Sequence, residues 1–247
     1  MTTRSPTRDG PRPRVVGVIM SQTDLDLAIL MRERPDLFEL RLDHLVPPSS
    51  GAAATGAAGI VDELEGKMSR LRAPLIVTAR HSKEGGANQL SVRQRRDLLS
   101  RFLPHARCID IELRSAAALH SLLKLARKKK VRRIISFHDL KATPDLGGLQ
   151  IKARRAKSLG ADIFKVATRT DTPVQLARLL DFITTKDLDL AVSAMGIGKL
   201  GAISRVLLAY GGSALVYGSV AAATDIEGQM SLEQLRTFGI GSRARVL

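Results

Sequence analysis

Cysteines and long apolar runs are scarce in this chain. Cys108 is the only cysteine among 247 residues, so the chain cannot form an internal disulfide, which favours a reducing compartment. No apolar run approaches the roughly 18 residues that a membrane-spanning helix needs. The Arg- and Pro-rich start also lacks the apolar centre of a secretory signal. We therefore expect a cytoplasmic protein without a membrane partner.

Aromatic residues are few, whereas positive charge is abundant. The chain has no Trp, two Tyr and six Phe, which leaves few stacking platforms for single-stranded nucleic acids. Its formal net charge is +15, and the segment RKKKVRR spans residues 127–133. A basic surface suits nucleic acid, yet no zinc-knuckle spacing or RNA-binding sheet signature accompanies it. We expect an enzyme that attracts small anions and has no nucleic-acid partner.

The first residues differ in composition from the rest of the chain. Residues 1–14 contain four arginines and one aspartate among Thr and Pro, and we predict a disordered basic tail there. Beyond it the apolar content is typical of a globular protein, at 44% for the whole chain. No linker interrupts residues 15–247, which we interpret as a single catalytic domain.

Buried-type strands alternate with helical patterns along this domain. The predicted strands cover 14–20, 37–42, 74–80, 108–113, 132–139, 162–168, 188–196 and 213–220, and each is followed by a segment with helical spacing. A Gly/Ala/Ser-rich stretch, 47–59, is predicted to be a flexible loop. Eight such units in about 230 residues predict an α/β fold of the (β/α)₈ TIM-barrel type. An open doubly wound sheet is the alternative, but no Gly-rich turn follows the first strand.

Ionisable residues stand where the predicted strands end. Active sites of such barrels lie at the C-terminal strand ends. The residues that fall there are Glu39, Arg41, Arg80, Glu84, Asp110, Glu112, His138 and Lys165, followed by Ser204, Arg205, Thr224 and Gln229 beyond the last two strands. A charge that reaches water explains any one of them, but not all of them at one face.

Lys165 is the most unusual member of this set. It lies within ADIFKVAT, residues 161–168, where a buried ammonium is costly. A desolvated lysine can form an imine with a ketone, and His138 on the neighbouring strand can then move a proton on the adjacent carbon. Glu84 can orient that imidazole, and Arg205 can bind a carboxylate. No metal-ligand spacing is present, so we expect Schiff-base chemistry on an anionic keto compound without metal or cofactor.

Several of these segments together resemble one enzyme family. FELRLDHL, VTARHSKEGG, CIDIEL, IISFHD, FKVAT, GAISR and EGQMSLEQLR occur in an order and at spacings similar to those of type I 3-dehydroquinate dehydratases. The resemblance runs from about Val15 to Arg236. It implies a (β/α)₈ barrel, usually a homodimer, that acts in the shikimate pathway. Such an enzyme dehydrates 3-dehydroquinate to 3-dehydroshikimate by syn elimination through an imine.

The resemblance also implies a role for each matching residue. Lys165 matches the imine-forming lysine, and His138 the general acid/base that is paired with the carboxylate of Glu84. The residues matching substrate-binding positions are Glu39, Arg41 and Arg80 around the ring, Arg205 at the substrate carboxylate, and Gln229 and Thr224 in a lid loop.

The lid region departs from the family pattern. The family sequence is Ser-Ala-Pro-Gly-Gln, whereas this chain has TDIEGQ at residues 224–229, with Glu227 in place of the proline. Either Thr224 or Asp225 takes the place of the serine. Two other interpretations stay open: a Schiff-base aldolase or transaldolase barrel, and a non-catalytic basic barrel that binds nucleic acid.

Overall fold

The computed structural model describes residues 12–47, 53–185, 188–222 and 226–241. Eight strands form one parallel sheet, in the order β7-β6-β5-β4-β3-β2-β1-β8. They are β1 (Arg14–Ile19), β2 (Leu37–Arg41), β3 (Leu75–Thr78), β4 (Ala106–Glu112), β5 (Arg132–Asp139), β6 (Ile163–Arg169), β7 (Ala191–Ile197) and β8 (Leu215–Ser219). The sheet curls into a nearly closed barrel, which confirms the predicted fold.

Hydrogen bonds join the two edge strands of the sheet near their beginnings. The backbone N–H of Ala214 donates to the carbonyl of Val192 at 2.8 Å. The Ser193 hydroxyl donates to the carbonyl of Leu215, also at 2.8 Å. These bonds bring β7 beside β8, so the strand ends surround a common interior.

Helices follow the strands and cover the outside of the barrel. They are α1 (Gln22–Leu30), α2 (Leu42–Leu45), α3 (Ala53–Met68), α4 (Val92–Phe102), α5 (His120–Lys128), α6 (Leu146–Ser158), α7 (Pro173–Thr184), α8 (Gly201–Tyr210) and α9 (Leu232–Thr237). Capping boxes at Ser21, Ser91, Thr172 and Ser231 satisfy backbone N–H groups at four helix starts.

Two sequence-based predictions about local structure are wrong in part. Residues 53–59, predicted within a flexible loop, form the start of α3, because alanine has the highest intrinsic helix propensity. Residues 116–119 belong to the segment with helical spacing that follows the fourth predicted strand, but they form turns before α5 begins at His120. The predicted tail lies outside the described residues up to position 11, and Arg12 already pairs with Asp36.

The strand period of two sorts the barrel interior into layers. Leu37, Ile76, Cys108, Ile134 and Ile163 form an apolar layer near the strand starts. Two residues further along the same strands come Glu39, Thr78, Asp110, Ser136 and Lys165, which are all buried. Another two residues along each chain segment come the members of a third layer, Arg41, Arg80, Glu112, His138 and Ala167. Because side chains i and i+2 face the same side, an apolar floor carries a polar layer above it.

Candidate active site

A cavity of about 200 Å³ opens at the C-terminal ends of the strands. Its walls combine an amine, carboxylates, guanidinium groups and an imidazole with apolar side chains. The lining residues are Val18, Glu39, Arg41, Arg80, Glu84, Gly85, His138, Leu140, Lys165, Ala167, Met195, Ile197, Arg205, Tyr217, Ile226 and Gln229. Except for Thr224, which lies outside the described residues, every residue to which a catalytic or substrate-binding role was assigned therefore lines this one cavity. The other candidates at the strand ends, Asp110, Glu112 and Ser204, are fully buried and do not line it.

Lys165 projects from the middle of β6 into the interior and is only 4% exposed. Its Nζ lies 3.1 Å from Asp110 Oδ2 and 3.3 Å from Glu39 Oε1. The same nitrogen stands 4.0 Å from the centroid of the Tyr217 ring, in cation–π geometry. Two carboxylates and an aromatic face thus compensate the burial of this ammonium group.

Arg80 connects several carboxylates beneath the cavity. Its guanidinium donates to Asp110 at 2.8 and 3.1 Å, to Glu112 at 3.3 Å and to the Ser136 hydroxyl at 2.6 Å. Burial raises the pKa of Asp110, but the charges of Arg80 and Lys165 bring it well below its usual value. Asp110 is therefore ionised at neutral pH and fixes both cations in place.

His138 and Glu84 form a hydrogen-bonded pair at the cavity wall. The distance from His138 Nδ1 to Glu84 Oε2 is 2.9 Å, and the backbone N–H of His138 donates to the same oxygen at 2.9 Å. Glu84 comes from a short 3₁₀ turn, Ser82–Glu84, which ends at Gly85 with φ 84°. This left-handed conformation suits glycine and turns the chain so that Glu84 faces β5.

The two members of this pair have shifted pKa values. Burial, with the charges of Arg80 and Lys165, holds the pKa of His138 well below its usual 6.5. Burial also raises the pKa of Glu84 to about 7, and the charge of Glu112 acts in the same direction. The imidazole is therefore neutral near pH 7 and able to accept a proton, as a general base requires.

Arg205 lies on α8 at the opposite side of the cavity. Its Nε and Nη1 donate to the backbone carbonyls of Tyr217, Gly196, Gly201 and Gly228. No carboxylate pairs with it within the described ranges, and burial lowers its pKa to about 10. At neutral pH it is therefore a buried cation held by neutral oxygens, an arrangement that favours the binding of an anion from the cavity.

The described part of the lid region lies against the β6–α7 and β7–α8 connections. The carboxylate of Glu227 lies 2.9 Å from Arg169 Nη1, and its backbone oxygen accepts from the N–H of Gly198 at 3.3 Å. Gln229 follows and lines the cavity. Thr224 and Asp225 lie outside the described residues.

Sequence reasoning missed several side chains that support the site. The carboxylate of Asp43 accepts hydrogen bonds from Nε and Nη2 of Arg41, at 3.0 and 2.8 Å. It also accepts from the backbone N–H groups of Arg80 and Ala87. Arg95 is fully buried and binds the Ala79 carbonyl, Ser115 and Glu112. The spacing of Arg95 with Leu99 and Phe102 places it on the buried face of α4, and this signal was available in the sequence.

Within the described ranges, no group of three or more His, Cys, Asp and Glu side chains has the arrangement of a metal site. Nor does any helix in those ranges combine the length and apolar composition that crossing a membrane requires.

Comparison with known proteins identifies the family of this chain. The chain is 30% identical over 235 residues to 3-dehydroquinate dehydratase from Salmonella typhimurium, covering 91% of both chains. It is also 30% identical to the Methanococcoides burtonii protein of the same name, covering 91% and 92%. A crystal structure of type I 3-dehydroquinate dehydratase from Clostridium difficile with covalently modified comenic acid matches with a TM-score of 0.79 and 25% identity, covering 93% of this chain and 91% of that one. The sequence model of the type I 3-dehydroquinase family matches residues 15–238, so this chain belongs to that family.

Proposed function

We propose that this protein dehydrates 3-dehydroquinate to 3-dehydroshikimate through an imine at Lys165, as an enzyme of the shikimate pathway. The observation that carries the proposal is that one cavity holds the buried amine of Lys165, the His138–Glu84 pair and the buried cation Arg205, which has no carboxylate partner among the described residues. The same-named bacterial and archaeal relatives support the substrate, and the covalently modified comenic acid in the Clostridium difficile structure supports a covalent route.

The residues divide the reaction between them. Arg205 binds the substrate carboxylate, which places the ring ketone toward the amine of Lys165. The amine of Lys165 adds to the ketone carbon, and two of the three protons of its ammonium group leave with the ketone oxygen as water. The third proton remains on nitrogen, so the product is a protonated imine. Glu39, Arg41, Arg80, Gln229 and Thr224 are proposed to hold the ring and the carboxylate.

His138 performs the proton transfers of the elimination. It takes a proton from the carbon next to the imine carbon, and the C–H electrons form the new double bond as the hydroxyl group leaves. The imidazolium, which Glu84 stabilises, returns its proton to that hydroxyl, so the leaving group departs as water. Hydrolysis of the imine then releases the conjugated ketone and restores the lysine.

Reduction with borohydride tests the covalent step. We expect borohydride with substrate or product present to add one reduced adduct, because an imine is reducible and a hydrogen-bonded complex is not. Intact mass and peptide mapping should place the adduct on Lys165. Lys199→Arg, at an exposed lysine of the β7–α8 connection, is the control and should trap equally well. No adduct, or an adduct on Lys199, contradicts the assignment.

Further features implied by the resemblance belong to the same proposal. The enzyme uses no metal or cofactor, residues 15–247 form one catalytic domain, and two copies assemble as a homodimer in the cytoplasm. Sedimentation velocity tests the assembly, and turnover after dialysis against a chelator tests the metal. A monomer at micromolar concentration, or activity that chelation abolishes, contradicts the corresponding statement.

A further inference from the structure

Arg114 contacts the side of Glu84 that His138 does not use. It lies in the turn after β4, and its Nε is 3.1 Å from Glu84 Oε1. The other carboxylate oxygen, Oε2, accepts both the imidazole and the backbone N–H of His138. Glu84 is therefore held between an arginine on one oxygen and a histidine on the other. Nothing in the sequence pattern singled out this arginine.

The charges around Glu84 explain why such a contact matters. Glu112 on β4 is a nearby negative charge, and burial removes water, so both raise the pKa of Glu84. Arg80 and Arg114, with the N–H of His138, oppose that shift. Arg80 donates hydrogen bonds to Asp110 and Ser136. Arg114, by contrast, has Glu84 as its only ion-pair partner in the described segments, and its side chain is 44% exposed.

We infer that Arg114 is a positioning residue of the acid–base pair: its guanidinium holds Oε1 of Glu84, so that Oε2 faces Nδ1 of His138, and its charge favours the ionised form of this carboxyl group. This inference rests on the proposed function, because it assigns Arg114 a role in the chemistry of His138. An arginine in this role does not touch the substrate. Its removal should change the pH dependence of catalysis more than the affinity for substrate.

The direction of the change follows from the charge. Glu84 is the negative partner of His138 only when it is ionised, so activity falls as pH drops through the pKa of the coupled pair. Without the Arg114 charge, the Glu84 pKa rises further. In Arg114→Ala the acidic limb of the kcat profile should therefore move up by about half a pH unit, as for a partly exposed ion pair. Turnover should fall about threefold at pH 6 and hardly at pH 9.

Three further variants separate a positioning role from general damage. Arg114→Lys keeps a positive charge at this position, so its pH profile of kcat should be close to that of the unchanged enzyme. Arg114→Gln lacks the charge, so its acidic limb should lie at higher pH, as in Arg114→Ala. Arg101→Ala is the matched control, because Arg101 is 42% exposed and pairs with Asp62 and Glu65 on the surface. Its profile should overlay that of the unchanged enzyme. An Arg114→Ala profile that overlays it too, or a loss that is equal at every pH, overturns the inference.

A measurement without substrate distinguishes this inference from the proposed function. The carboxyl carbon resonance of Glu84, assigned from its loss in Glu84→Gln, can be titrated by NMR in the free protein. Its midpoint should rise in Arg114→Ala and Arg114→Gln but not in Arg101→Ala. A protein that lacks dehydratase activity yet shows this shift contradicts the proposed function alone. An active enzyme with an unmoved midpoint contradicts the role of Arg114 alone.

Discussion

Each buried charge in the polar layer of the barrel has a partner of opposite sign within reach. Lys165 lies beside Glu39 and Asp110, and Arg80 lies between Asp110 and Glu112. Removing one partner of a buried pair is costly, because the other charge is left without compensation. The charged residues of the site therefore form a connected network. A substitution that tests one role in this network should remove a residue whose loss leaves the remaining charges paired.

His138 is such a residue, because its imidazole is neutral near pH 7. His138→Ala should lower turnover about 10²–10⁴-fold, the usual contribution of a general base. The imine should still form, since the attack by Lys165 needs less assistance than carbon deprotonation. Turnover is measured from the ultraviolet absorbance of the conjugated product, and imine formation is measured by borohydride trapping. The two assays therefore report on the elimination and on imine formation separately.

The control for this variant is His105→Ala, at a histidine whose side chain is 53% exposed on the surface. Near-normal turnover in His138→Ala would show that another group removes the proton. Loss of both turnover and trapping would instead place His138 in the formation of the imine.

At the level of elements, Asp43 joins α2 to the connection that carries Glu84. Oδ1 accepts from Arg41 and from the N–H of Arg80, and Oδ2 accepts from Arg41 and from the N–H of Ala87. Both oxygens therefore face two N–H donors, and no amide group fits there without a donor–donor contact. Burial raises the pKa of Asp43, but the charge and hydrogen bonds of Arg41 bring it below the usual 3.8.

Asp43→Asn should therefore lower the free energy of unfolding by about 3 kcal/mol at pH 7. Because the folded-state pKa is depressed, the contribution of Asp43 is present above pH 3.8 and is lost as pH falls through the folded value. The difference between the two proteins should shrink below about pH 4, as measured by urea unfolding. Asp62→Asn, at an exposed ion pair with Arg101, should change little. A difference that stays constant down to pH 2 would contradict this account.

Elements and site positions differ in how far the sequence determines them. The strands were predicted to within about three residues, because apolar runs between Gly- and Pro-containing turns are a local signal. The cavity members at strand ends were predicted as well, since the barrel brings those ends together. Asp43 and Arg114 were not predicted, because the contacts that tie them to the Glu84 connection join residues distant in the chain. Arg95 was overlooked although its helical spacing with Leu99 and Phe102 marks a buried position. The roles of the site residues remain predictions.

At the scale of the whole molecule, charge is distributed unequally between the two ends of the barrel. At the C-terminal end, Arg41, Arg80, Arg95 and Lys165 pair with buried carboxylates. At the N-terminal end, a cavity of about 710 Å³ is lined by Arg12, Arg32, Arg34, Arg72 and Arg236 with only Glu33 and Asp36 as acids. A seven-residue strand is about 23 Å long, more than twice the Debye length of about 10 Å at 0.1 M salt. Charges at the far end should therefore have little influence on substrate binding at physiological ionic strength.

Exposed lysines at the two ends test whether local charge guides the anionic substrate. Lys141 follows Leu140 at the cavity rim, and Lys128 is the last residue of α5 at the other end of the barrel. Lys141→Glu should lower kcat/KM about threefold at 0.05 M salt, mainly through KM, because a negative charge at the rim repels the substrate carboxylate. The effect should disappear near 0.5 M salt, where screening is nearly complete. Lys128→Glu should leave kcat/KM unchanged at both salt concentrations.

Equal losses in the two variants would mean that the net charge of +15, and not charge near the cavity, attracts the substrate. A salt-independent loss in Lys141→Glu would instead indicate an altered conformation of the β5–α6 connection.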